Sequence, residues 1–155
     1  MERVKCSVRD VSVDDRGMLV LLAEETLHPL ADGAGHPERY DAAELLKLLE
    51  RADVFVAEAE GEMAGFVAVE AEGDALAVRC VCVSPAFEAR GVANQLVDWA
   101  EGLAIHRRLR RLTAFVPAGD HPSLHLYRGH DFVSAATPAQ PAMLLLEKRL
   151  PAVGD

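Results

Sequence analysis

The stretch Val81-Cys82-Val83-Ser84-Pro85-Ala86-Phe87-Glu88-Ala89-Arg90-Gly91-Val92-Ala93-Asn94-Gln95-Leu96 decides how this chain is read. It begins as an apolar strand, stops at a proline, turns at a glycine and opens a helix. Pro85 lacks the N–H a ladder needs, and Gly91 permits backbone angles that other residues resist. From Gly91, Val92, Leu96, Val97, Ala100 and Leu103 recur with helical spacing as far as about Arg108. Such a turn aims unsatisfied backbone N–H groups and the positive end of a helix dipole at one spot, which suits a phosphate or pyrophosphate. Gly91 and Ala93, lacking bulk, let a ligand approach the backbone. Taken alone, G-x-A ahead of a helix is also what an ordinary loop glycine looks like.

Working outward, Ala75 to Val83 is a β-branched, thiol-bearing strand run that follows the turn Gly73-Asp74. Before it, Val54 to Glu58 and Met63 to Val69 flank the polar turn Glu60-Gly61-Glu62, the pattern of a hairpin. Val4, Cys6 and Val8 alternate with Lys5, Ser7 and Arg9 and predict an opening strand. A first helix is expected from a Ser12 or Asp14 cap to about Thr26, ended by His28-Pro29. Ala31 to Pro37 reads as a loop. A second helix follows from about Asp41, with Glu44 resembling a capping box and Leu45, Leu46, Leu48 and Leu49 as its buried stripe. Beyond the long helix, Leu112 to Val116 is a strand, Pro122 to Arg128 a short helix and Ala142 to Leu150 a final strand. The order predicts a mixed α/β (α+β) domain spanning residues 1–155, with helices flanking one sheet.

Composition fits that reading. A chain of 155 residues with 50% hydrophobic and 26% charged residues suits one core. Its longest apolar runs soon meet charge, so no membrane span is expected, and the start Met1-Glu2-Arg3-Val4-Lys5-Cys6 has no signal-peptide pattern; a cytoplasmic protein is expected. The net charge of −9 argues against general nucleic-acid binding, so an anionic ligand must be held locally. Cys6, Cys80 and Cys82 are odd in number and have no C-x-x-C spacing, which favours neither a disulfide framework nor a structural zinc site. Cys80 and Cys82 share a strand face and are expected as reduced, packed thiols rather than an easy bridge.

The central pattern resembles the GNAT superfamily of acyl-CoA N-acyltransferases. Val83-Ser84-Pro85 matches its V-x-P element, and Glu88-Ala89-Arg90-Gly91-Val92-Ala93 matches [Q/R]-x-x-G-x-[G/A] at every position but the first. Downstream, Asp120-His121-Pro122-Ser123-Leu124-His125-Leu126-Tyr127 stands where the family often has N-x-x-A-x-x-L-Y, with Asp131-Phe132 in place of G-F. The order of elements is also similar to the family's, a mostly antiparallel mixed sheet flanked by helices.

The resemblance implies a chain that moves an acetyl or short acyl group from acetyl-CoA, as co-substrate and without metal, to a primary amine of a small molecule or peptide. It places the coenzyme A pyrophosphate at Ala89, Arg90, Gly91, Val92, Ala93 and Asn94, and the pantetheine along Val81, Cys82 and Val83, with Asp120 near the cofactor. It implies Tyr127 as the catalytic acid to the leaving thiolate. A phenol, with an ordinary pKa of about 10, is protonated at neutral pH and can donate to a basic sulfur. Glu88 departs from the family by setting a carboxylate beside an anion site. The strand Val78 to Val83 lacks the glutamate that members often carry; Glu70, Glu72, His121 and His125 are candidates for a base, and none is assigned. A non-catalytic member of the fold, binding a ligand or a protein, is the alternative; a homodimer stays open.

Other chemistries fit less well. His121 and His125 are spaced like zinc ligands on a helix, but Pro122 stands where a zinc protease has glutamate. Ser123, His125 and Asp120 crowd one short helix and lack a G-x-S-x-G elbow, so no hydrolase relay is expected. Arg107-Arg108-Leu109-Arg110-Arg111 is read as solvated charge complementing a helix C-terminus.

Overall fold

A computed structural model describes residues 3–23, 42–135 and 143–151. Among the described residues seven strands form one sheet in the order β1-β2-β3-β4-β5-β7-β6. They are β1 (Ser7–Asp10), β2 (Asp53–Ala59), β3 (Glu62–Glu72), β4 (Ala75–Val83), β5 (Arg111–Pro117), β6 (Val133–Ser134) and β7 (Met143–Arg149). Every neighbouring pair is antiparallel except β4 and β5. Among the described residues four helices accompany the sheet: α1 over residues 16–23, α2 (Ala42–Arg51), α3 (Val92–His106) and α4 (His121–Gly129). This is the mixed α/β arrangement that the order of elements predicts, with the mostly antiparallel sheet that the resemblance implies. Among the described residues no helix is long and apolar enough to cross a membrane.

The strand alternation sorts two cores onto the two faces of the sheet. On one face Val67, Val69, Leu76, Val78, Leu112, Ala114 and Leu146 pack with Leu96, Val97, Ala100 and Ala104 of α3 and with Leu124 and Tyr127 of α4. On the other, Val54, Val56, Phe66, Ala68 and Cys82 pack with Leu19, Leu22 and Ala23 of α1. The helical period read in α3 is therefore its buried stripe.

Several expectations shift in detail. The first strand starts at Ser7 rather than Val4, because the preceding residues spend their polar groups elsewhere: Val4 N–H donates to the Arg90 carbonyl (3.0 Å), and the Cys6 N–H donates to Gln95 Oε1 (2.8 Å). The N-terminal cap of the first helical segment is Ser12, whose N–H and hydroxyl both donate to Asp15 Oδ2 (2.7 and 3.0 Å), so Asp15 rather than Asp14 closes the turn. Leu46 is exposed, while Leu49 packs against the α1-side core. The helix end near Thr26 and His28-Pro29, the loop Ala31 to Pro37 and the Asp41 cap lie outside the described residues. The two-residue β6, too short to leave a periodic signal, is an addition.

Candidate active site

The site begins with one extra residue in β4. Ala68 pairs with Cys80 and Val69 with Val78, so Arg79 has no partner in β3. A bulge of this kind bends a strand and raises its twist. It also resets the alternation: Leu76 and Val78 face α3 before it, and Val81 and Val83 pack on that side after it. The parallel ladder from β4 to β5 runs from the pair Ala75 and Arg111 to the pair Val78 and Ala114 and stops there, at the bulge. Beyond it the two strands part, and one edge of β4 loses its strand neighbour while the other stays paired with β3 from Cys80 to Val83.

The gap is a cavity of about 440 Å³. Its wall contains Val81, Cys82 and Val83 of β4, Ala93 at the start of α3, and Asp120 and Tyr127 of the α4 segment. These sequence-selected residues are thus brought together. Glu88 lines it as well, and the turn through Ala89 to Val92 is bracketed by Glu88 and Ala93. A smaller cavity of about 170 Å³ shares Val78, Arg79 and Phe115 with the first and adds Glu72, Arg111 and Thr113. The second cavity lies over the paired part of β4 and β5 and adjoins the first where the two strands part.

Pro85–Phe87 forms one 3-10 turn after β4, and Ala89 (φ 61°) and Gly91 (φ 84°) both take left-handed angles before α3. Two such residues close together reverse the chain sharply, so α3 starts beside the end of β4. The left-handed φ of Gly91 is one that side chains resist, while a Cβ there would sit 3.7 Å from the Arg3 side chain, an ordinary contact. The Gln95 N–H is the donor to the Gly91 carbonyl (3.2 Å), which leaves the N–H groups ahead of it at the helix start beyond the reach of intrahelical acceptors. Val92 buries its side chain, so only its backbone can serve the turn.

Charges around the turn are arranged unevenly. Arg90 pairs with Glu60 (3.2 Å), and its guanidinium lies over the Phe87 ring at 5.3 Å. Glu88 is exposed and has no ion pair among the described residues. Asn94 directs its Oδ1 to His130 Nε2 (2.9 Å), tying α3 to the end of α4, so its side chain is engaged away from the turn.

Asp120 is buried as the cap of α4: the Ser123 N–H donates to its Oδ1 (3.2 Å) and the Ser123 hydroxyl to its Oδ2 (2.7 Å). That fixes the helix carrying Tyr127. The Tyr127 ring is buried and tilted against Phe132, centroids 5.1 Å apart. Asp131 takes φ 70°, an angle that Asp tolerates better than most residues, and so turns Phe132 back onto Tyr127, where the Phe132 N–H donates to the Tyr127 carbonyl (3.1 Å).

The candidate bases are dispersed. Glu70 accepts from Arg79 Nε (2.9 Å) and Arg51 Nε (3.2 Å), and Glu72 pairs with Arg79. Partial burial works against the Glu70 carboxylate, but the two guanidiniums outweigh it and hold the group below the usual range. His121 and His125 are exposed on α4. Among the described residues no three His, Cys, Asp or Glu side chains gather as a metal ion would need. Arg79 and Gln95 escaped the sequence reading; the one signal for Arg79 is a lone charge inside an apolar strand run.

The acetyltransferase (GNAT) family model matches residues 20–132, and the chain belongs to that family, whose members are acyl-CoA-dependent N-acetyltransferases. The fold is similar to that of the PaiA N-acetyltransferase from Thermoplasma acidophilum in complex with coenzyme A, at 16% identity and a TM-score of 0.79, covering 94% of this chain and 99% of that one. It is likewise similar to the ribosomal-protein-S18-alanine N-acetyltransferase from Escherichia coli (15% identity, TM-score 0.76, 97% of each chain). A third likeness is the ribosomal-protein-alanine N-acetyltransferase from Brucella melitensis (21% identity, TM-score 0.70, 93% of this chain and 99% of that one). No curated protein matches the chain.

Proposed function

We propose that this chain transfers an acetyl or other short acyl group from acetyl-CoA to a primary amine of a small molecule or a peptide, with Tyr127 as general acid. The observation that carries the reading is one cavity whose wall joins Val81, Cys82 and Val83, the first turn of α3 at Ala93, and Tyr127. Acetyl-CoA supplies an activated thioester. The edge of β4 that β5 has left offers backbone N–H and C=O groups to the amides of a pantetheine arm. The turn through Ala89 to Asn94 offers backbone N–H groups and a helix dipole to the pyrophosphate. Tyr127, fixed by its packing on Phe132 and by the Asp120 cap, holds a phenol proton for the sulfur that becomes negative as the thioester opens. The amine enters from the side of the sheet bearing Glu72, Arg79 and Phe115, where the second cavity meets the first.

Titration calorimetry with acetyl-CoA, followed by detection of free thiol across a panel of primary amines, tests this reading. Saturable binding and amine-dependent thiol release are expected. Absence of binding at millimolar acetyl-CoA would overturn it, and binding without release for any amine would favour a ligand-binding member of the fold.

A further inference from the structure

The bulge at Arg79 leaves Cys80 and Cys82 on the α1 side of β4, with their sulfurs 3.4 Å apart. Both line the larger cavity; Cys82 is buried and Cys80 half-buried, so a small reagent reaches the pair through Cys80. Cys6 packs with the core on the opposite face of the sheet and cannot compete for either sulfur. Nothing in the proposed transfer uses these two thiols, since only the backbone of this segment is assigned to the co-substrate.

We infer that Cys80 and Cys82 form an oxidisable dithiol, a modification site for peroxide-class oxidants inside the active-site wall. The Cys80 sulfur attacks a peroxide oxygen, the O–O bond breaks, and the departing hydroxide leaves as water with the thiol proton, giving a sulfenic acid. The Cys82 sulfur then attacks that sulfur, the S–O bond breaks, and a second water leaves with the Cys82 proton. Two thiols and one hydrogen peroxide give one disulfide and two waters.

Closing the pair has a structural consequence. A disulfide needs its sulfurs at about 2.05 Å and its Cα atoms within roughly 4.4 to 6.8 Å, whereas residues two apart in an extended strand sit about 6.6 Å apart, near the upper end of that window. The bridge is reachable, but it draws in the β4 segment between its ends, including Val81. Resting on the proposed function, the oxidised chain therefore binds acetyl-CoA less well than the reduced one.

The test treats the full chain with a slight excess of hydrogen peroxide, then alkylates it under denaturing conditions and maps the peptides by mass. Loss of two hydrogens, about 2 Da, is expected on the peptide holding Cys80 and Cys82, with Cys6 still alkylated and both thiols restored by dithiothreitol. Two alkylatable thiols after peroxide, a sulfinic acid at Cys80, or chains linked to one another through these residues would each overturn the proposal. In Cys80→Ser, Cys82 should stay alkylatable; oxidation of Cys82 at the original rate would overturn the assigned order of attack. Calorimetry on the same samples should give a rise in Kd for acetyl-CoA of about tenfold or more after oxidation, reversed by dithiothreitol. A bridged chain of unchanged affinity would overturn the coupling to the site. A reduced chain that binds no acetyl-CoA would instead sink the function above, while the mass measurement still decides the dithiol.

Discussion

Gln95 accepts the Cys6 N–H at 2.8 Å and donates its own amide hydrogens to the Val4 carbonyl at 2.6 Å and the Gly91 carbonyl at 3.2 Å. One side chain in the first turn of α3 thus ties the segment ahead of β1 to the turn at Gly91, and the Val4 N–H reinforces the tie through the Arg90 carbonyl. The anion-binding turn proposed above is held from two sides.

Removing that tie should be felt as stability. Gln95→Ala leaves the Val4 carbonyl and Cys6 N–H without these partners and is expected to lower unfolding free energy by about 1 to 3 kcal/mol. Gln95→Glu should be at least as damaging, because a carboxylate still accepts from Cys6 but faces two carbonyls it cannot donate to. Urea unfolding midpoints check the order, and faster hydrogen exchange at the amides of residues 4–6 locates the effect. A wild-type midpoint in Gln95→Ala would show that the segment is held by other contacts.

An acid-sensitive contribution resides at the other end of β1. Asp15 receives two charge-assisted hydrogen bonds from Arg9 (2.8 and 3.0 Å) as well as the Ser12 N–H and hydroxyl. The Arg9 bonds are the main cause that holds its carboxyl far below the ordinary 3.8, against a smaller opposing effect of burial. A carboxyl depressed in the folded state stabilises fully above its unfolded pKa of about 3.9 and loses that contribution as pH falls below it. Asp15→Asn keeps an acceptor for Ser12 but loses the ionic partner, and because Arg9 is partly exposed the loss should be about 1 kcal/mol at pH 7. The gap between wild type and variant should narrow as thermal unfolding is followed from pH 5 toward pH 2; a constant gap would contradict the assignment.

The contrast between Gly91 and Arg79 explains what could be read from sequence. Pro85, Gly91 and the stripe Val92, Leu96, Val97, Ala100 announce a strand stop and a helix start through local chemistry, and the structure has both there. Strand register is not local. The bulge at Arg79 depends on how β3 meets β4, and a lone arginine in an apolar run does not say which residue is left unpaired. The site inherits this difference: Val81 to Val83 and Ala93 were legible as candidates, while the cavity between them exists because β4 and β5 part at a bulge. Side-chain engagement divides in the same way. Asn94 turns to His130 through a contact between elements that no spacing rule encodes, whereas Asp120 and Ser123 three residues on have the local spacing of an N-cap ahead of Pro122.

Glu88 offers a test of the turn itself. It is exposed, lines the cavity wall next to the turn, and has no ion pair among the described residues, while Arg90 is drawn to Glu60. If a pyrophosphate lies at this turn, the carboxylate repels it through water-screened distance, an effect of up to about 1 kcal/mol at a surface. Glu88→Gln should therefore tighten acetyl-CoA binding by about two- to fivefold at low salt, with the advantage fading as ionic strength rises. Calorimetry at two salt concentrations measures both. Weaker binding in the variant would mean that Glu88 serves the turn rather than opposing it.

Tyr127 is where binding and chemistry should separate. Its ring packs on Phe132 and belongs to the α3-side core, so Tyr127→Phe keeps the shape of the cavity wall. Backbone groups in β4 and at the start of α3 are the proposed holders of the co-substrate, and the variant leaves them in place. Affinity for acetyl-CoA should stay within about twofold, whereas loss of a positioned general acid should slow single-turnover acyl transfer by about 100-fold or more. Raising the pH should not rescue the variant, because the missing group is a proton donor and not an ionised base. Rapid-quench transfer to a reactive amine, compared with calorimetric Kd, distinguishes the outcomes. An unaltered rate would remove Tyr127 as the acid, and a parallel loss of affinity and rate would assign the hydroxyl to holding the co-substrate instead.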